Sequence, residues 1–170
     1  MPNMLIYAHI CDIIFRIIFY IMFKTLQGKT IELVDYIKTY ITEHPDIQII
    51  IGCDSQNYSS VTSYATVVVL YTPGHGGHVI AEKEKTPRER VRSIRLMNEV
   101  CRSLDVANKI CEAGLPKPEY IDIDINPNPR YKSNDIFRSA VGMVEGSGYK
   151  CRYKTLNVAA TCCADYVVRS

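Results

Sequence analysis

The chain is organised around one short stretch, Ile49-Ile50-Ile51-Gly52-Cys53-Asp54-Ser55-Gln56-Asn57. Its apolar, β-branched half is continuous rather than alternating, which is typical of a strand buried on both faces at the centre of a sheet. An acid at the exit of such a strand is held rigidly and still reaches solvent, so Asp54 is a candidate metal-binding or catalytic carboxylate. The alternative is that Asp54 opens a turn and accepts hydrogen bonds from nearby backbone N–H groups.

The composition is that of one globular domain. Of 170 residues, 47% are apolar and 22% are charged, which is enough for a single core. The formal net charge of +2 is too small to indicate a nucleic-acid-binding protein by itself, so any basic surface must be local. The seven cysteines form no C-x-x-C pair, which disfavours a zinc–thiolate site and predicts reduced core residues in a cytoplasmic protein.

The N-terminal extension, residues 1–28, differs from the rest of the chain. Residues 1–23 are mostly apolar and predict an additional helix close to the lower length limit for a membrane span. Asp12 and Arg16 would be costly inside a bilayer, so membrane contact is disfavoured but stays open, as does a partner-binding helix. A third alternative is that Met22 is the natural start. With neither a basic lead-in nor a small-residue cleavage site, a secretory signal is not expected.

Residues 29–170 predict one α/β domain. A helix over 31–43 comes first, and the element order after it is β-β-β-α-β-α-β-α, in which the Asp54 strand is the first. The clearest helix start is Thr86-Pro87-Arg88-Glu89, a capping box with proline at the first helical position. The other predicted elements are strands over 63–72, 78–85, 120–126 and 150–156, the long helix ending near 113, and helices over 134–144, capped by Ser133, and 158–168.

Further acids lie on these predicted elements. Asp122 and Asp124 alternate with isoleucines, so both lie on one face of a strand, which is unfavourable unless they are solvated or bind a cation. Glu99 lies at the border of the apolar stripe of the long helix, either solvated or directed at the sheet. Asp165 lies on the last helix, where a lone acid is usually a surface residue. Together with Asp54, these acids suit two divalent cations that bridge a phosphate, because hard cations prefer carboxylate oxygen.

Basic residues cluster around the predicted start of the long helix. Interleaved acids make a solvated surface the simpler interpretation, and contact with a phosphate backbone is the functional one. The basic residues are Lys83, Lys85, Arg88, Arg90, Arg92 and Arg95.

The sequence resembles the ribonuclease H-like superfamily, and most closely its bacterial YkuK-type proteins. The resemblance spans about residues 30–168 and implies a ribonuclease H-like, five-stranded mixed sheet with helices packed on its faces. The N-terminal extension has no counterpart in it. The matching motifs are Ile51-Gly52-Cys53-Asp54-Ser55-Gln56, Asp122-Ile123-Asp124-Ile125-Asn126 with Ser133, and Tyr153-Lys154 through Ala159-Ala160 to Ala164-Asp165.

The resemblance also implies a site. Asp54, Asp124 and Asp165 would be the metal-binding carboxylates, with Glu99 as a fourth catalytic acid. Asp124 rather than Asp122 matches the acid before Ile-Asn in the family. Mg²⁺ or Mn²⁺ would be bound in a two-metal site, and no organic cofactor is expected. The expected substrate contacts are Ser55, Gln56, Asn126, Ser133 and Lys154.

Two classes of function follow from this resemblance. The first is a divalent-metal-dependent phosphodiester hydrolase, a nuclease acting on RNA, an RNA–DNA hybrid or structured DNA. The second is a catalytically inactive module of the same fold that binds nucleic acid or protein, which the modest net charge favours. Nucleic acid is the expected partner of the first class and one of two alternatives for the second.

Overall fold

A computed structural model describes residues 22–154, 156 and 159–170, so the expected N-terminal helix lies outside the described residues. In this part of the chain no helix is both long enough and apolar enough to cross a bilayer. The strands are β1 (Met22–Thr25), β2 (Thr30–Glu32), β3 (Gln48–Asn57), β4 (Val61–Thr72), β5 (Gly76–Pro87), β6 (Tyr120–Ile123) and β7 (Cys151–Tyr153). The helices are α1 (Leu33–Glu43), α2 (Arg92–Glu112), the 3₁₀ helix η1 (Lys132–Ile136), α3 (Phe137–Gly146) and α4 (Ala159–Arg169).

One mixed sheet carries the fold, with strand order β2-β1-β5-β4-β3-β6-β7. The strand β3 lies inside it, antiparallel to β4 and parallel to β6, and β6 is parallel to β7. The predicted central position of the apolar run is therefore confirmed, since Ile49, Ile50 and Ile51 are all buried.

The two faces of the sheet are covered by different helices. Ile51 belongs to the larger core, which includes side chains of α1, α2 and α3. Its neighbour Ile50 belongs to a smaller cluster with Ala160 of α4. Because successive residues of a strand point to opposite faces, Asp54 points to the α4 side of the sheet and Ser55 to the α2 side.

The prediction of five strands is wrong, because the sheet has seven. The five predicted strands are present as β3 to β7, and β1 and β2 extend the sheet beyond β5. The pairing of Thr30–Glu32 with β1 delays the start of α1 to Leu33, where the Glu32 carboxylate accepts the Asp35 N–H at 2.8 Å. The strand β1 lies within residues 1–28, so at least Met22–Thr25 of the extension pack in the sheet.

The predicted capping box at Thr86 is also wrong. The strand β5 continues through Pro87, which pairs with Val61, and α2 begins only at Arg92. The backbone N–H of Glu89 donates to Thr62 on the neighbouring strand instead of joining a helix. Pairing in the sheet thus outweighs the local signal. Ser133 likewise lies inside η1 and does not cap a helix.

Candidate functional site

Three of the four candidate acids line one cleft. Asp54 lies near the end of β3, Asp124 directly follows β6, and Asp165 lies on α4. The strands β3 and β6 are parallel, so their carboxyl ends meet at the same edge of the sheet, and α4 crosses the face to which Asp54 points. The cleft they share has a volume of about 480 Å³.

The carboxylate of Asp54 interacts with the other two. Burial, the charge of Asp124 and a hydrogen bond with Asp165 together raise the pKa of Asp54 to about 6, although the backbone N–H of Ser55 lowers it. Like charges held this close are costly unless a proton or a cation lies between them. The raised pKa of Asp54 therefore reflects burial beside two other carboxylates.

Two basic side chains already pair with this cluster. Lys154 Nζ lies 3.1 Å from Asp124 Oδ1, and Arg169 Nε lies 2.6 Å from Asp165 Oδ1. Among the described residues no group of three or more His, Cys, Asp or Glu side chains is arranged to hold a metal ion. The carboxylates supply the oxygen donors that Mg²⁺ and Mn²⁺ prefer, but Asp124 and Asp165 would have to exchange their basic partners for the ion.

Glu99 lies on the other side of β3 and does not line the cleft. It is 4% exposed, and it accepts a hydrogen bond from Ser55 Oγ at 2.5 Å. Arg95 donates to Ser55 Oγ and also lies 3.4 Å from Glu99. Burial, together with the charges of Asp54 and Asp124, raises the pKa of Glu99 to about 8, although Ser55 and Arg95 lower it. Glu99 is thus coupled to the cleft through Ser55.

The five expected substrate contacts all line the cleft, but they differ in what they offer a ligand. Gln56 is exposed, and Lys154 presents its ammonium group beside Asp124. Ser55 is bonded to Glu99. Asn126 is buried, and its N–H donates to Ser133 Oγ at 3.2 Å, so these two side chains shape the adjoining loop.

Asp122, which the resemblance set aside, is a structural carboxylate. It is 1% exposed and accepts hydrogen bonds from Arg152 and from the Ala160 N–H at the start of α4. Gly52 acts at the same place, because a Cβ there would lie 2.9 Å from the Cβ of Ala160. These contacts seat α4 on the sheet and so place Asp165 near Asp54.

Sequence reasoning missed the loop that forms the outer wall of the cleft. Arg130, Tyr131 and Lys132 line it, and so does Arg169 of α4. The signal was present, since an aromatic residue between two basic ones follows the rigid Asn-Pro-Asn-Pro turn. From the basic cluster around the start of α2, Arg92 and Arg95 line the cleft. Arg95 donates a hydrogen bond to the Ser55 carbonyl, whereas the side chain of Arg92 is exposed.

The family of the chain is shown by comparison with family models. The Ribonuclease H-like model matches residues 32–169, which is most of the sequence, and the chain belongs to that family. A search among curated proteins gave no significant match. The matched residues include the strands in the order β5-β4-β3-β6-β7 and the three acids Asp54, Asp124 and Asp165.

Proposed function

We propose that the chain is a divalent-metal-dependent phosphodiester hydrolase, a nuclease of ribonuclease H type that acts on RNA, an RNA–DNA hybrid or structured DNA. We also propose that it belongs to the YkuK-type branch of its family. The observation that carries the proposal is the shared cleft of Asp54, Asp124 and Asp165, in which burial and the neighbouring carboxylates raise the pKa of Asp54 to about 6. Such convergence of acids from three elements is typical of a functional site.

The proposed metal-binding residues are Asp54, Asp124 and Asp165. When bound, Mg²⁺ or Mn²⁺ ions supply Lewis-acid chemistry, promoting ionisation of an attacking water and stabilising charge on the leaving oxygen. Lys154 and Arg169, released from Asp124 and Asp165, would then be free to contact phosphate oxygens.

The proposed role of Glu99 is to hold a proton beside the site. A carboxyl group whose pKa is raised to about 8 exchanges a proton at neutral pH, as a general acid or base must. Its hydrogen bond to Ser55 links that proton to the strand that carries Asp54. The proposal therefore gives Glu99 a part in proton transfer and leaves metal binding to the three aspartates.

The test compares Asp54→Asn with the parent chain in two assays, Mn²⁺ binding by calorimetry and cleavage of labelled RNA, hybrid and branched DNA. Asp105→Asn is the matched control, because Asp105 is an exposed carboxylate of α2 outside the cleft. We expect Asp54→Asn to lose both Mn²⁺ binding and cleavage, and Asp105→Asn to keep both. Cleavage retained by Asp54→Asn would contradict the proposal.

A second candidate is an inactive member of the fold that binds nucleic acid without turnover. It is favoured by one observation, that Lys154 and Arg169 already compensate Asp124 and Asp165 in place of a cation. This alternative expects binding to survive both a chelator and Asp54→Asn, with no cleavage of any substrate by the parent chain.

A further inference from the structure

We infer that the cleft binds an unpaired strand, with one base stacked on Tyr131 and the adjoining phosphates held by Arg92, Arg130 and Lys132. This inference rests on the proposed role in nucleic-acid chemistry and names the class of substrate. The triplet Arg130-Tyr131-Lys132 is called the platform below. It lines the same cleft as Asp54 and Asp124.

Tyr131 is an exposed aromatic residue in a cleft that is otherwise lined mainly by acidic, basic and polar side chains. It is 56% exposed, and within the described part of the chain its ring makes no hydrogen bond, ring contact or cation–π contact. The hydrogen bonds at this residue involve only its backbone, to Asn128 and Asn134. The ring is therefore available to a flat, apolar ligand surface in the cleft, as a nucleobase provides.

Side-chain hydrogen bonds brace the loop that carries the tyrosine. The Asn128 N–H donates to Asn126 Oδ1 at 2.9 Å, and the Arg130 N–H donates to Asn128 Oδ1 at 3.0 Å. Asn134 Nδ2 donates to the Pro127 carbonyl at 2.7 Å. A ring presented by such a braced loop loses little conformational entropy when a base stacks on it.

The charges around the platform suit a phosphate backbone. Six basic side chains line the cleft, against three acidic ones, so its wall is locally positive although the whole chain is nearly neutral. Three of the six have acidic partners, whereas Arg92, Arg130 and Lys132 form no ion pair with any described residue. Proteins that bind single strands combine two components, basic side chains that contact the phosphates and an aromatic ring on which a base stacks, and both are present here. The six basic residues are Arg92, Arg95, Arg130, Lys132, Lys154 and Arg169.

Stacking on Tyr131 requires that the base be unpaired. In a duplex both faces of an internal base are covered by its neighbours, so an aromatic side chain reaches only bases in single strands, loops and ends. RNA and DNA present the same stacking face and the same phosphates, so the platform serves either, and the two are compared in the test. Away from its two ends, a blunt duplex would engage the basic residues alone.

The test measures binding of labelled 12-nucleotide RNA and DNA strands and of a blunt duplex, by fluorescence anisotropy in the presence of a chelator. Tyr131→Ala should weaken single-strand binding about 5- to 150-fold, the range expected for one stacked base, and leave duplex binding unchanged. Tyr131→Phe keeps the π-face and should stay within about twofold of the parent. Tyr166→Ala is the matched control, since Tyr166 is 71% exposed on α4 but does not line the cleft.

The basic part of the platform is tested by salt dependence. Each phosphate contact of a single strand contributes about 0.7 to the slope of log affinity against log salt concentration. Lys132→Ala and Arg130→Ala should each reduce that slope by about this amount. Unchanged slopes in both variants would contradict the assigned phosphate contacts.

The outcome separates this inference from the proposed hydrolase. Equal single-strand affinities of parent and Tyr131→Ala, no single-strand binding by the parent, or tighter binding of the blunt duplex would each overturn the platform, even if the chain proves to be a metal-dependent nuclease. Conversely, stacking lost in Tyr131→Ala, together with no cleavage of any substrate, would support the platform and refute the hydrolase. A higher affinity for the RNA strand than for the DNA strand would support the platform and indicate an additional contact to the 2′-hydroxyl.

Discussion

Asp122 and Arg152 form a bidentate ion pair beside the smaller cluster that contains Ala160. Arg152 Nε lies 2.7 Å from Asp122 Oδ1, and Arg152 Nη2 lies 3.0 Å from Oδ2. Oδ2 also accepts the Ala160 N–H at 2.9 Å, while the guanidinium lies 4.4 Å from the centre of the Tyr120 ring. One carboxylate thereby joins β6, β7 and the start of α4, the helix that carries Asp165.

Replacing Asp122 with asparagine should lower the free energy of unfolding by about 3 kcal/mol or more. The change leaves the charge of Arg152 without a partner in a largely buried site, and an uncompensated buried charge is strongly destabilising. Urea denaturation followed by circular dichroism measures the effect. Glu119→Gln is the matched control, because its ion pair with Lys150 is exposed and screened by solvent, so its loss should change stability little. Equal losses in the two variants would contradict the structural role of Asp122.

Gly52→Ala should destabilise the protein by about 1–3 kcal/mol through overpacking. The new Cβ would lie 2.9 Å from the Ala160 Cβ and 3.0 Å from the Thr161 backbone nitrogen, so α4 would have to shift. Gly142→Ala is the control, since nothing lies within 4 Å of a Cβ there and alanine favours a helix. Thermal unfolding should show a lower midpoint for the first variant only. If both variants unfold like the parent, α4 does not need the close approach.

The parts of the fold that could be predicted are those with long, consistent patterns. The run ending at Asp54 predicted a central strand, and the apolar periodicity of α2 predicted the buried face that contains Val100 and Leu104. The strands β1 and β2 are only four and three residues long, too short for a periodic signal, and the second overlapped a helical pattern. At Thr86 the local capping signal was outweighed by pairing of β5 with β4. The sequence around Thr86 gives no indication of this pairing, because its partners lie more than 20 residues earlier in the chain.

The candidate site divides in the same way. Asp54 could be singled out because it follows an apolar strand, and Asp124 as one of two acids on one face of a strand. The choice of Asp124 over Asp122 and the inclusion of Asp165 and Glu99 depended on a family resemblance. Their surroundings depended on tertiary packing. Nothing in the helical pattern around Glu99 indicates that Ser55, from a strand 44 positions away, donates a hydrogen bond to it. The same limit applies to Tyr131, whose place beside the acids follows from how the loop after β6 folds back.

The stability of the protein should depend on pH through Glu99. Burial raises the pKa of this carboxyl group from its ordinary value of 4.5 to about 8 in the folded state. Between these values the unfolded chain has released the proton that the folded chain keeps, so stability falls as pH rises. The contribution is fully present below pH 4.5 and is lost by about pH 8.

Glu99→Gln should remove this part of the pH dependence. The free energy of unfolding, measured in urea from pH 5 to pH 8, should fall more steeply in the parent than in the variant. Glu112→Gln is the control, because Glu112 is exposed at the end of the same helix, and its profile should run parallel to that of the parent. Parallel profiles for the parent and Glu99→Gln would show that Glu99 is ionised in the folded protein.

Binding of Mn²⁺ should strengthen as pH rises through about 6. The ion needs Asp54 in its charged form, and burial together with Asp124 and Asp165 raises the pKa of Asp54 to about 6. At pH 5 only about a tenth of Asp54 is ionised, so the affinity should be about tenfold lower than at pH 7.5. Calorimetry at the two pH values checks this, and buffers of different ionisation enthalpy report the proton released. Asp165→Asn removes one cause of the raised pKa, so its weaker binding should reach half its maximum at a lower pH. An affinity that is constant from pH 5 to pH 7.5 would mean that Asp54 is not a ligand of the ion.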